Sequence, residues 1–177
     1  MLTNTIKKEI SVDTMEVERP LEQLIRENHQ PIFNYCYQIL RNQQDAEDAV
    51  QEVFIKALMN YHPERIIHQK AWLYKIAYRH CLNKSKRNRL FQFIPFTEKY
   101  KSSHIHNDHS QNNLELDYIL AQLKAKERAI LALRIIEDRD YEEIGQILNI
   151  NSATARKRFE RVKLKVQKII EGRMDHE

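Results

Sequence analysis

The chain has 177 residues, a net charge of only +4 from 29 basic and 25 acidic side chains, and just two glycines, Gly145 and Gly172. About 12 glycines would be usual at this length, so their scarcity beside abundant Leu, Ile, Glu, Lys and Arg excludes a phosphate-cradling glycine loop and predicts a nearly all-α protein. No apolar run reaches the ~18 residues of a membrane span, and the polar start lacks the apolar stretch of a signal peptide; the expectation is a cytoplasmic protein with no direct membrane insertion.

In chain order, residues 1–20 show no sustained period and read as a leader. Leu21, Leu24, Ile25, Ile32, Phe33, Cys36, Tyr37 and Leu40 fall at helical spacing, with Pro31 suited to a helix first turn. A second helix is predicted from Gln44 to about Asn60, with Ala46, Ala49, Val50, Val53, Phe54, Ala57 and Leu58 as its apolar stripe. His62-Pro63 closes it, because proline disfavours helix at the residue before it. A third helix is predicted from about His68 to Asn88, burying Trp72, Leu73, Ile76, Ala77, His80 and Cys81. Cys36 and Cys81 lie within apolar helical patterns and read as buried free thiols.

Residues 89–114 are rich in Asn, Ser, His, Gln and Lys and read as a flexible linker with a reach of about 90 Å when extended. Helix resumes at Glu115, through Leu116, Ile119, Leu120, Leu123, Ile130, Leu131 and Leu133. Asp140-Tyr141-Glu142-Glu143 has the acids of a helix start. Tyr141–Leu148, the turn Asn149-Ile150-Asn151, and a helix from Ser152 then spell a helix-turn-helix. The fold expected is therefore two small helical domains, 21–88 and 115–172, joined by the linker.

The modest net charge hides two basic fields. Gln69–Leu90 carries Lys70, Lys75, Arg79, Lys84, Lys86, Arg87 and Arg89 without an acid, and Ala153–Lys168 carries Arg156, Lys157, Arg158, Arg161, Lys163, Lys165 and Lys168 against Glu160 alone. Paired clusters of this kind are the footprint of nucleic-acid binding at two places, with a solvated surface as the bland alternative. In the last helix Ala155, Phe159, Val162 and Val166 would pack inward on Ile144, Ile147 and Leu148. Arg156, Lys157, Glu160 and Arg161 would then project as a recognition helix does into the major groove. Gly145 permits close helix approach, Asn149 suits a left-handed turn, and Ser152 is the expected N-cap. The second helix differs in charge: Asp45, Glu47, Asp48 and Glu52 precede its first base, Lys56, and Asp48, Gln51, Glu52 and Ile55 share the face opposite the apolar stripe. That ridge suits a basic protein partner.

The run Asp45-Ala46-Glu47-Asp48-Ala49-Val50-Gln51-Glu52-Val53-Phe54-Ile55-Lys56-Ala57, followed by Trp72-Leu73-Tyr74-Lys75-Ile76-Ala77, resembles region 2 of bacterial sigma factors of the extracytoplasmic-function group. Tyr141-Glu142-Glu143-Ile144-Gly145 through Thr154-Ala155-Arg156-Lys157-Arg158-Phe159-Glu160-Arg161 resembles their region 4. The resemblance covers about 21–170 and implies an alternative sigma factor that joins core RNA polymerase and directs promoter recognition and melting. It implies that Asp45, Asp48, Gln51, Glu52, Ile55 and Lys56 dock on the coiled coil of the β′ subunit. It implies a minus-ten site at His62, Lys75, Arg79, Asn83, Lys86 and Arg87, and a minus-thirty-five site at Ser152, Thr154, Arg156, Lys157, Glu160 and Arg161. An anti-sigma factor is implied as a further partner. Arg79 stands where many members have Asn, Asn83 replaces the commoner Asp, and Ser152-Ala153 replaces a small-Gly pair.

Two rivals are a free-standing helix-turn-helix regulator and a helical enzyme using a metal held by His104, His106 and His109. Those histidines have no Cys or carboxylate constellation beyond Asp108, and no paired carboxylates or nucleophile elbow occur, so neither cofactor, metal nor enzyme activity is expected.

Overall fold

The structure is a computed structural model that describes residues 2–92 and 111–174, with side chains over 20–90 and 116–172. Its N-terminal half is a bundle of α1 (Leu2–Leu40), α2 (Gln43–Asn60) and α3 (Gln69–Gln92), with a 3-10 turn at Pro63–Arg65 between the last two. Helix begins at Leu2 rather than near Leu21. No Gly or Pro interrupts 2–19, and extending a helix from a packed nucleus costs far less than starting one.

Pro31, expected in a first turn, lies inside α1. It removes the donor for the Glu27 carbonyl, a penalty near ~3 kcal/mol in a helix interior. Burial of Leu24, Ile32, Cys36 and Ile39 on the same helix offsets it. The helix stops where Arg41 turns left-handed (φ 59) and donates its N–H to the Tyr37 carbonyl at 2.8 Å.

Asn42 caps α2 by accepting from the Asp45 N–H at 2.8 Å, so the helix starts one residue before the expected Gln44. Ala46, Ala49, Val50, Val53, Phe54 and Ala57 are buried as predicted, but Leu58 is 57% exposed. It sits about 100° beyond Ala57 around the helix, off the stripe. In α3, Leu73, Tyr74, Ala77, Tyr78 and Cys81 are buried, whereas Trp72, Ile76 and His80 are only half-buried. The Trp72 ring lies 6.0 Å from that of Tyr61. Cys36 and Cys81 are free and buried. Packing of α1 on α3 brings them together, and the hydrogen bond to Cys36, then burial, pushes the Cys81 thiol far above its ordinary value. A thiol so held is chemically quiet.

The C-terminal half contains α4 (Gln111–Ala121), α5 (Ala125–Leu131), a π-helical turn at Ala132–Ile136, α6 (Tyr141–Leu148) and α7 (Ser152–Met174). Both ends of the expected linker are therefore helical, over 89–92 and 111–114. The remainder, with His104, His106 and His109, lies outside the described residues. Leu116 is exposed, while Ile119, Leu120 and Leu123 are buried.

Glu127 ties this half together by accepting from the Lys124 N–H and from the Lys165 ammonium, each at 2.7 Å. Burial raises its pKa, but the bonds to Lys165 and Lys124 outweigh burial and leave it below the ordinary 4.5. A lowered carboxyl contributes stability that is complete above its unfolded value and is lost as pH falls through the folded one. Acidification below about 4.5 is thus expected to weaken this half. Urea melts at a series of pH values should show a shallower acid slope for Glu127→Gln.

The buried side chains of both halves form one continuous cluster, with α3 against α6 and α1 against α5. The two halves, expected as small helical domains joined by a flexible linker, pack directly against each other. The reason is the width of the buried face of α3: Leu73, Ala77, Cys81, Tyr74 and Tyr78 span about 140° of the helix, which leaves Tyr74 to pack beneath the second half.

Candidate polymerase and DNA interfaces

In the helix-turn-helix, Asp140 caps α6 by accepting from the N–H groups of Glu142 and Glu143, both at 2.8 Å. Asn149 ends it in the left-handed conformation (φ 56, ψ 52), as its residue type predicts. The cap of α7 differs from expectation. Asn151, not Ser152, takes the role, its Oδ1 accepting from the Thr154 N–H at 2.7 Å. Asn caps as well as Ser does, and the tight turn places Asn151 at the last non-helical position, with Ser152 already in the helix.

Gly145 is required by the turn, because a Cβ there would stand 2.6 Å from the Ile150 carbonyl oxygen. Gly145→Ala is expected to cost about 1–3 kcal/mol in overpacking, more than the up to ~1 kcal/mol of helix propensity it gains. Gly172, with nothing within 4 Å of its built Cβ, should show the propensity gain alone in the same melting experiment.

Ala155, Phe159 and Val162 are buried with Ile144, Ile147 and Leu148, and Val166 is half-buried. That packing fixes the phase of α7. Ser152, Arg156, Lys157, Glu160 and Arg161 are exposed, and Thr154 is half-buried. The Arg156 guanidinium sits 5.1 Å over the Tyr141 ring, a cation–π contact that restrains it before any ligand arrives.

At the other end, α2 and α3 enclose a groove of about 660 Å³. Asp48, Gln51, Glu52, Ile55 and Lys56 line one wall; His80, Asn83, Lys84 and Arg87 line the other. Five of the six predicted polymerase contacts thus share one surface. Asp45 instead turns toward α3, where Lys84 bridges it and Asp48 at 3.1 Å each and Asn88 donates to it at 2.8 Å. Burial opposes the charge of Lys84, yet hydrogen bonds to Asp45 and Asp48 raise its pKa overall. One member of the basic field of α3 is therefore spent within the fold. Lys56 Nζ lies 3.0 Å from His80 Nδ1, and burial, then the Lys56 charge, lowers the His80 pKa and favours the neutral ring. Ile55 and Met59, 50% and 77% exposed, add apolar surface beside the acids.

The predicted minus-ten set is split. Lys75, Arg79 and Lys86 share one face of α3 by helical phase, whereas Asn83 and Arg87 lie in the groove with the acids. His62 is exposed beside Glu64, its Nδ1 3.7 Å away. Tyr74 is buried; its hydroxyl donates to Glu137, and burial, then that bond, raises its pKa. Lys84, His80 and Asn88 were not singled out from sequence as parts of the acidic site. Their spacing of four along α3 is the signal that places them on one face.

Two family models match the chain: Sigma-70 region 2 over residues 24–91 and Sigma-70, region 4 over residues 113–166. RNA polymerase sigma factor SigV of Bacillus subtilis (strain 168) is 32% identical over 154 residues, 82% of this chain and 87% of that protein. The chain belongs to the sigma-70 family. Within it, the ECF RNA polymerase sigma factor SigE of Mycolicibacterium smegmatis (strain ATCC 700084 / mc(2)155) is 29% identical over 151 residues, 79% of this chain. The chain spans 57% of the length of SigE. ECF RNA polymerase sigma factor SigW of Bacillus subtilis (strain 168) is 29% identical over 73% of this chain and 78% of SigW. This sigma factor is of the extracytoplasmic-function group, and its class is that of a transcription initiation factor.

Its fold is also that of solved sigma factors. RpoE in complex with the anti-sigma factor NepR from Bartonella quintana superposes with a TM-score of 0.66 at 20% identity, over 88% of this chain and 97% of that one. CnrH in complex with the cytosolic domain of CnrY gives 0.61 at 19% identity, over 88% and 90%. Among the described residues, no helix is long and apolar enough to cross a membrane and no group of His, Cys, Asp and Glu is arranged to hold a metal.

Proposed function

We infer that this sigma factor docks on core RNA polymerase through the α2 wall of the groove, giving the enzyme its promoter choice and assisting melting. The observation that carries this is the ridge itself. Asp48 and Glu52 stand exposed beside Ile55 and Met59, a mixture that fits a basic coiled coil with an apolar seam and repels DNA. The β′ coiled coil is the partner the family resemblance supplies. Asp45 orients Lys84 and so acts within the fold, while Lys56 forms the basic rim.

On the adjoining face Lys75, Arg79 and Lys86 hold the phosphate backbone of the melted minus-ten strand, with Arg87 and Asn83 at its border with the polymerase site and His62 on the loop that meets the extruded base. Taking a base out of the stack costs a few kcal/mol, which these cationic contacts offset. At minus thirty-five, Arg156, Lys157, Glu160 and Arg161 meet base edges in the major groove, and Ser152 and Thr154 place the α7 N-terminus against a phosphate. The protein works in the cytoplasm, catalyses no reaction of its own, and is held silent by an anti-sigma factor, as RpoE and CnrH are found with theirs.

Base reading is separable from backbone holding. Arg161→Ala in the reconstituted holoenzyme is expected to lower discrimination between cognate and altered minus-thirty-five duplexes by about 1–3 kcal/mol. An equal loss on all sequences would make Arg161 a phosphate contact.

A further inference from the structure

The α7 side chains assigned to base edges differ in how they are held. The Arg156 guanidinium stands over the Tyr141 ring, 5.1 Å from its centroid, although Arg156 is exposed. Among the described residues, no hydrogen bond, ion pair or ring contact fixes Lys157, Glu160 or Arg161. The ring beneath Arg156 is itself fixed in three ways. Tyr141 is the first residue of α6, directly after Asp140, so the cap that closes on the next two N–H groups sets its backbone. Its ring packs at 57° to that of buried Phe159, with centroids 6.1 Å apart. The Arg134 guanidinium also lies over it, at 5.5 Å, tied by donation to the Arg139 carbonyl at 3.1 Å and to Asp138 at 3.3 Å.

We propose that Tyr141 is a positioning residue for promoter specificity, presetting the Arg156 side chain for one base pair of the minus-thirty-five element without touching a base itself. The proposal rests on the promoter-binding reading of α7. Arginine discriminates between bases only when its N–H fork meets a matched pair of acceptors, such as O6 and N7 of guanine. A guanidinium held by its face on an aromatic ring leaves the donors on its edge free for that task. A long side chain ordered beforehand loses less freedom on binding. The contact also strengthens once duplex excludes water from it, because cation–π attraction grows on desolvation. Lysine at 156 would keep the charge and lose both the planar face and the fork.

The test uses holoenzyme reconstituted with the full chain and duplexes from a promoter mapped by run-off transcription, each with one base pair changed. Arg156→Ala is expected to lose discrimination at a single base pair. Tyr141→Leu should lose about three- to tenfold at that same pair, the equivalent of ordering one long side chain, with an unchanged salt slope. Tyr141→Phe keeps the ring and should behave as wild type. In the Arg156→Ala background Tyr141→Leu should have no further effect, since nothing remains to be positioned. A loss equal on all duplexes, a Tyr141→Phe loss as large as that of Tyr141→Leu, or a Tyr141→Leu loss that persists without Arg156 would each overturn the proposal. Nitrogen-15 relaxation of the free wild-type chain decides the matter even where a variant fails to fold: Arg156 Nε–H should be more ordered than that of Arg161, and equal disorder would overturn the preset. Wild-type holoenzyme that discriminates at no base pair would bring down the promoter reading and this proposal together, whereas discrimination left intact by a folded Tyr141→Leu would bring down the proposal alone.

Discussion

Replacing Arg128 by leucine is expected to destabilise the chain by about 3 kcal/mol or more, a large part of the ~5–15 kcal/mol that holds a domain folded. Its guanidinium donates to three backbone carbonyls, those of Ile39, Leu120 and Leu123. Ile39 belongs to the last turn of α1, whose carbonyls have no helical donor, and Leu123 lies in the turn after α4. Leucine matches the apolar stem but leaves these oxygens facing a gap, and each buried acceptor without a donor costs about 1–3 kcal/mol. Burial, then the charge of Arg41, pulls the Arg128 pKa down to about 10, so the group is still cationic at neutral pH. Arg128→Lys keeps the charge and loses the fork. Urea denaturation should rank the wild type above Arg128→Lys and Arg128→Leu lowest; equal stability of all three would show that water replaces the guanidinium at no cost.

The second large effect is expected at the docking ridge. Asp48→Lys together with Glu52→Lys turns the attractive wall of the groove repulsive, and close charge pairs at protein interfaces carry about 2–5 kcal/mol. Core association should therefore weaken roughly thirtyfold or more. Stability should change far less, by about 1 kcal/mol, because Asp48 is largely exposed and Lys84 retains Asp45 as a partner. Fluorescence titration with core polymerase separates the two quantities. An undiminished affinity would remove Asp48 and Glu52 from the interface.

Much of this was legible from side-chain phase. The stripe Ala46, Ala49, Val50, Val53 along α2 and the stripe Ala155, Phe159, Val162 along α7 each define one buried face, and the opposite residues follow by geometry. Turn chemistry was equally direct at Asn149, where few other residue types accept a positive φ. The cap of α7 was misplaced by one residue because Asn151 and Ser152 are both good caps, and backbone geometry alone chooses between them. Leu58 is apolar like its neighbours, but its phase, about 40° past Phe54 around the helix, puts it just outside the buried stripe, where it is exposed.

Contacts between elements distant in sequence left weaker traces. Nothing local to Glu137 or Tyr74 indicates that they meet, since a Tyr hydroxyl and a Glu carboxylate can each be satisfied by water. Lys84 looked like one of seven bases on α3, yet two carboxylates 36 and 39 residues earlier claim it. Charge clusters counted along a chain overstate the field wherever opposite charges from a neighbouring helix fold onto them.

Run-off transcription by core RNA polymerase, on genomic fragments from upstream of this gene, bears most directly on whether the α2 ridge delivers α3 and α7 to a promoter. Discrete transcripts are expected with the unaltered chain, and few or none with the Asp48→Lys, Glu52→Lys variant at the same concentration. Transcripts of equal yield with the chain, with the variant and with core alone would contradict it.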